Sequence, residues 1–148
     1  MSNQKQGKQS FIFQDKPTIS HWASVAGKKE SEGPLSAHFD IKGSDSYWGQ
    51  KTWEQAEGHM QTLALQTLCK KANMSMDSID LIISGDLLNQ CIGSSFPIRN
   101  TDIPHLGLYG ACSTMAESLL VASMSVGGGF WDSAIAITSS HFASSERQ

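Results

Sequence analysis

The spacing of apolar and polar residues changes several times along this chain, and each change marks an element. The first sustained period covers Trp53–Ala72. There Trp53, Ala56, Met60, Leu63, Ala64, Leu68 and Ala72 recur at helical spacing. The pattern predicts an amphipathic helix that buries this stripe. Thr52 followed by Gln55 matches a capping box, and Asn73 is a suitable stop. Lys70 and Lys71 place positive charge in the last turn, where the helix dipole favours it. The run Ile79–Ser84 (IDLIIS) is apolar almost throughout, as a parallel strand between two helical layers should be. Leu106–Tyr109 predicts a second strand, a helix follows over about Ser113–Val126, and Gly127-Gly128-Gly129 ends it. Ser133–Thr138 (SAIAIT) predicts the last strand.

The N-terminal third carries a weaker signal. Residues 1–10 read as a disordered polar tail, and 11–148 as one α/β unit. Ser10–Asp15 predicts a short strand, Thr18–Gly27 a second short strand or an irregular connection, and Lys28–Gly33 a surface loop. Gly43–Ser46 reads as a turn, with Tyr47 and Trp48 available to anchor it to the core. The order helix, strand, strand, helix, strand predicts an α/β fold with a mostly parallel sheet and helices on both faces.

Composition narrows the function. The 148 residues suffice for one modest domain, and a net charge of -3 offers no basic footprint for nucleic acid. No apolar run reaches the length of a membrane span, and no signal peptide precedes the first predicted strand. Cys69, Cys91 and Cys112 are odd in number and lack metal-ligand spacing, which fits reduced thiols in a cytosolic compartment. The chain stops soon after a strand with no closing element, so it reads as part of a longer protein.

The candidate chemistry gathers at Gly110-Ala111-Cys112-Ser113-Thr114. This is a strand-to-helix corner with Cys112 near the positive end of the following helix. Such a corner can activate a thiol or hold a carboxylate. Cys112 can equally be a free cysteine used as a small apolar residue. Ser113 and Thr114 either open the helix and do no more, or cradle a ligand. Asp86, Asn89 and Gln90 follow the IDLIIS strand, where ligands bind in open α/β sheets. They read either as turn residues or as a polar pocket wall, and a carboxylate there suits a Ca²⁺-chelated ligand better than a bare anion. His141 lies past the last strand, as a loop histidine or a ligand. Arg99 is a surface arginine or a carboxylate partner. Glu117 is the one charge on a helix expected to be buried on most sides, so it should be paired or at an interface.

The motif at Cys112 resembles the nucleophile elbow of the thiolase and ketoacyl synthase superfamily, and the similarity runs in order from about Trp53 to the end. Gly33-Pro34-Leu35, Phe39-Asp40, Gly85-Asp86-Leu87-Leu88-Asn89-Gln90, Leu108 to Thr114 and Thr138-Ser139-Ser140-His141 resemble the stage V sporulation branch of that superfamily. The resemblance implies a thiolase-like fold of two halves packed around a central pair of Cys-bearing helices, this chain being the N-terminal half. It implies a protein without enzymatic activity that binds dipicolinic acid, also as its calcium chelate, for uptake into the developing endospore. It further implies membrane protein partners at the cytoplasmic face of the spore inner membrane, a homodimer, and no cofactor or resident metal. The alternative is an acyltransferase with Cys112 as nucleophile. That chemistry requires histidine or asparagine partners from the second half, and none of His21, His38, His59, His105 or His141 occupies a matching motif.

Overall fold

The computed structural model describes residues 4–88 and 91–141. In chain order the elements are β1 (Lys5–Gln6), β2 (Ser10–Phe11), β3 (Val25–Ala26), α1 (Lys28–Ser31), β4 (Ile41–Lys42), α2 (Trp53–Ala72), β5 (Ile82–Gly85), α3 (Ile92–Ser95), β6 (His105–Gly107), α4 (Thr114–Gly127) and β7 (Ile135–Thr138). Short 3-10 turns stand at Ser36–His38, Met76–Ser78 and Ala111–Ser113.

The main sheet has three parallel strands in the order β6-β5-β7. Every residue of β5 is buried. Its side chains alternate between two cores, which is the period of two that a strand imposes. Ile82 joins Leu65, Cys69, Ile79 and Ile98 on one face, with Ile135 and Ile137 packed against them. Leu81 and Ile83 join Ala122 on the other, with Val121, Ala134 and Ala136 alongside. α2 therefore covers one face and α4 the other. This is the mixed α/β arrangement with parallel strands that the pattern predicts.

α2 has the predicted bounds. Thr52 Oγ1 accepts from Gln55 N at 3.2 Å, and Asn73 ends the helix in the left-handed region at φ 53°. Its buried face differs from the predicted stripe. Ala56, Glu57, Gly58, Gln61, Leu65 and Cys69 are buried, whereas Met60, Leu63, Ala64 and Leu68 are only half-buried. The helix is rotated because its N-terminal half meets polar groups at the C-terminal end of the sheet rather than an apolar surface.

α4 also departs from expectation. Thr114, Ser118 and Ala122 pack inward, and Met115, Leu119, Leu120 and Met124 are exposed. Small residues allow the helix to sit close on β5, and the larger apolar side chains point away from the sheet.

The N-terminal residues form two small ribbons. Lys5–Gln6 pairs antiparallel with Ser10–Phe11, in the stretch where composition predicts a polar tail. Val25–Ala26 pairs in parallel with Ile41–Lys42. Lys28–Ser31 is a helical turn rather than the expected loop, closed by Ser31 N donating to Gly27 O at 2.9 Å. Asp40 fastens this region to α2 by a 2.9 Å contact with Lys71 Nζ, and it accepts from Ser24 N. In the following loop the Trp48 ring lies over Gly43, where a Cβ would overlap it, and Tyr47 stacks on Trp53 with centroids 5.5 Å apart.

Candidate functional site

The elbow is built from Gly110 onward. β6 ends at Gly107, and Leu108 N still donates to Ser84 O at 2.8 Å, which ties the approach to the central strand. The chain then turns sharply. Ala111 lies at φ 48°, a left-handed conformation that costs a residue with a Cβ roughly 1–2 kcal/mol. The 3-10 turn Ala111–Ser113 runs directly into α4.

Hydroxyls hold the corner together from within. Thr114 Oγ1 accepts from Gly110 N at 3.1 Å and donates to Ala111 O at 2.8 Å. Ser113 Oγ donates to Glu117 Oε1 and lies 2.7 Å from Gly110 O, so two acceptors share its one hydrogen. Glu117 folds back over the turn, and a Cβ at Gly110 would overlap its carboxylate. Ser113 and Thr114 thus serve the turn itself. The charge of Glu117, one helical turn beyond Ser113, also sits at the elbow.

Cys112 is exposed, and its thiol has no hydrogen-bond partner among the described residues. It differs in this from Cys69, which is buried, and from Cys91, whose Sγ lies 3.3 Å from Leu108 O. Burial raises the pKa of both Cys69 and Cys91, and the Asp86 carboxylate raises that of Cys91 further.

Asp86 is held by the loop that follows β5. It is almost fully buried, and both carboxylate oxygens accept backbone N–H groups: Oδ1 from Leu88 at 2.7 Å and Oδ2 from Ser94 at 2.6 Å. It staples the loop after β5 to α3, as a residue that shapes that turn. Asn89 and Gln90 lie outside the described residues. His141 is buried, and its Nε2 contacts the Ser46 carbonyl at 2.7 Å, fastening the Gly43–Gln50 loop to the chain beyond β7. Arg99 stacks over Phe96 with Cζ 5.1 Å from the ring centroid. With Lys51, Glu54, Gln55 and His59 it lines a groove of about 530 Å³ between the first half of α2 and the segment after α3. The elbow therefore gathers Cys112, Ser113, Thr114 and Glu117, while Asp86, His141 and Arg99 serve other parts of the fold.

A second polar group escaped the sequence reading. Ser139 Oγ donates to Glu57 Oε1 at 2.7 Å, and Gln61 Nε2 donates to Ser139 Oγ at 2.7 Å and to Gly85 O at 3.2 Å. Glu57 and Gln61 are buried on α2 at the C-terminal ends of β5 and β7. The available signal was their spacing of four, which puts both on one face of a helix. Beside this group lies a recess of about 280 Å³, bounded by α2, β7, Met115 of α4 and the Ala23–Val25 segment.

A parallel sheet covered by helices on both faces, with a cysteine at a strained strand-to-helix elbow, defines the class: an α/β protein whose candidate site is a helix-start corner. The family described as stage V sporulation protein AD matches residues 7–148, and the chain belongs to that family. It is 42% identical over 142 residues to the stage V sporulation protein AD of Bacillus subtilis (strain 168), an alignment covering 96% of this chain and 42% of the relative. The chain thus spans less than half the length of that relative. No helix among the described residues is long and apolar enough to cross a membrane.

Proposed function

We propose that the protein containing this chain binds dipicolinate, as its calcium chelate, through the elbow at Cys112, and serves its uptake into the developing spore without catalysing a reaction. The observation that carries this reading is the state of Cys112. Its thiol stands exposed at the start of α4 with no base in hydrogen-bond contact among the described residues. A nucleophilic thiol needs such a base or another activating group. A ligand carboxylate needs only the favourable potential of a helix start.

The geometry also bears on the form of the ligand. The Glu117 carboxylate at the elbow opposes a bare dianion. Chelation by Ca²⁺ cancels the charge of the two ligand carboxylates and leaves a cation able to accept a further protein oxygen. Glu117 rather than Asp86 is the carboxylate placed to supply it.

The exposed apolar face of α4 supports the reading that this chain is the first half of a two-part thiolase-like fold, the remainder covering Met115, Leu119, Leu120 and Met124. Membrane protein partners, a peripheral position on the cytoplasmic face of the spore inner membrane, and a homodimer belong to the same proposal. Calorimetric titration of the full-length protein with dipicolinate, with and without Ca²⁺, tests it. Saturable binding that weakens in Cys112→Trp, which fills the corner, is expected. No binding, or equal binding by that variant, overturns it. Acyl transfer is the second reading, because an exposed thiol beside a strained residue is also how an elbow presents a nucleophile. Rapid stoichiometric acylation of Cys112 by an acyl-CoA would support it.

A further inference from the structure

At the end of α4 far from the elbow, aromatic rings form a continuous patch. The Phe13 ring packs on Gly127, where a Cβ would come within 2.7 Å of it, and the Phe130 ring packs on Gly128, where a Cβ would lie 3.0 Å away. Phe11 meets Phe13 edge to face with centroids 5.1 Å apart. The ribbon of β1 and β2 and the turn after α4 are thus joined through their rings. Phe130 is 78% exposed, Ile12 47% and Phe11 41%, with Trp131 beside Phe130 in the same turn at 38%. Contiguous apolar surface of this kind marks a contact with a partner.

Charge and size narrow the kind of partner. Lys5 pairs with Phe11 across the ribbon, so the two side chains share a face, and Lys8 stands in the turn between the strands. Residues 5–11 hold no acid; Lys16 adds a third cation, and the acids of the bordering segments are Asp15 and Asp132. A stable protein interface uses roughly 20–30 residues a side. This patch offers the apolar side chains of Phe11, Ile12, Phe13, Phe130 and Trp131, carried by a short ribbon and a turn. Aromatic rings bordered by lysines suit the boundary of a bilayer, where rings settle at headgroup depth and ammonium groups meet lipid phosphates.

We propose that this patch docks the protein on an anionic lipid surface, with Phe130, Trp131 and Phe11 entering the headgroup region and Lys5 and Lys8 facing the lipid phosphates. α4 is 14 residues long and holds the elbow about 20 Å away, clear of the lipid. The inference rests on the peripheral membrane position proposed above and supplies its contact. It does not depend on what the elbow binds.

The test sediments full-length protein with vesicles of phosphatidylcholine alone or mixed with an equal part of phosphatidylglycerol. Binding to the mixed vesicles is expected, at least about tenfold tighter than to phosphatidylcholine and weakened by salt. Phe130→Ser, and separately Lys5→Gln with Lys8→Gln, should each reduce it by about tenfold. Phe130→Trp should retain it, and Tyr109→Ser, at the other end of α4, should leave it unchanged. No binding to the mixed vesicles, equal binding to both, or unchanged binding by Phe130→Ser overturns the inference. So does a Phe130→Ser variant that unfolds or loses a dimer, since the patch is then covered by protein. A protein that ignores vesicles yet co-purifies with membrane proteins of the spore contradicts this inference and leaves the peripheral position standing.

Discussion

Ser139 and Glu57, 82 positions apart, meet across the C-terminal end of the sheet at 2.7 Å, the serine donating to the carboxylate. The bond joins the chain beyond β7 to the first half of α2, with Gln61 as its third member. Local structure gives neither residue this partner; the packing of α2 on the sheet does.

Removing the serine hydroxyl deprives a buried carboxylate oxygen of a donor. Ser139→Ala is expected to lower the unfolding free energy by about 1–3 kcal/mol. Ser140→Ala, at the exposed neighbouring position, should change it by less than about 0.5 kcal/mol. Urea unfolding of the two variants under one condition checks this, and equal effects would show that the network contributes nothing.

Gly85 stands where β5 passes beneath the elbow. A Cβ there would overlap Leu108 O and Thr114 Cγ2, the first a backbone atom that cannot swing aside. Gly85→Ala should therefore destabilise the protein by about 1–3 kcal/mol and disturb the corner at Cys112. Gly27 has open space around it and makes the control, with an expected change for Gly27→Ala within about 0.5 kcal/mol. The pair is compared by thermal melts and by thiol-labelling rate at Cys112, which only the first should alter.

His105 on β6 lies 2.7 Å from Ser84 Oγ through Nε2, and burial lowers its pKa from the ordinary 6.5. The folded protein thus favours the neutral ring. Above pH 6.5 both folded and unfolded chains carry it neutral, and its contribution to stability is complete. As pH falls below that value the unfolded chain takes up the proton first, and stability declines until the folded pKa is passed. His105→Gln should flatten this part of the stability profile. Denaturant midpoints measured from pH 8 to pH 5 provide the check, and an unchanged slope would contradict the assignment.

Much of the fold was legible where local chemistry fixes it. The Thr52 cap and the Asn73 stop bound α2, and the apolar run through Ile82 and Ile83 marks a strand covered on both faces. The buried side of α2 was not legible, because burying Glu57 and Gln61 is favourable only with Ser139 and Gly85 O opposite, and β7 brings Ser139 there from the far end of the chain. The exposure of Met115, Leu119, Leu120 and Met124 escaped for a related reason: an apolar helix read alone does not show which face its own sheet leaves uncovered. At the site, the turn at Cys112 followed from Gly110 and the helix after it. The roles of Asp86 and His141 did not, since each is set by backbone groups of another loop: Leu88 N and Ser94 N for Asp86, Ser46 O for His141.

Competition at Cys112 tests the ligand-binding account most directly. The exposed thiol of the full-length protein is alkylated with iodoacetamide while calcium dipicolinate is raised to saturation, and the modified cysteine is identified by mass spectrometry. Occupancy of the corner should slow alkylation of Cys112 by about tenfold, the equivalent of about 1.4 kcal/mol of added protection, and leave the slow reaction of Cys91 unchanged. A Cys112 rate that does not move at any ligand concentration would contradict binding at the elbow.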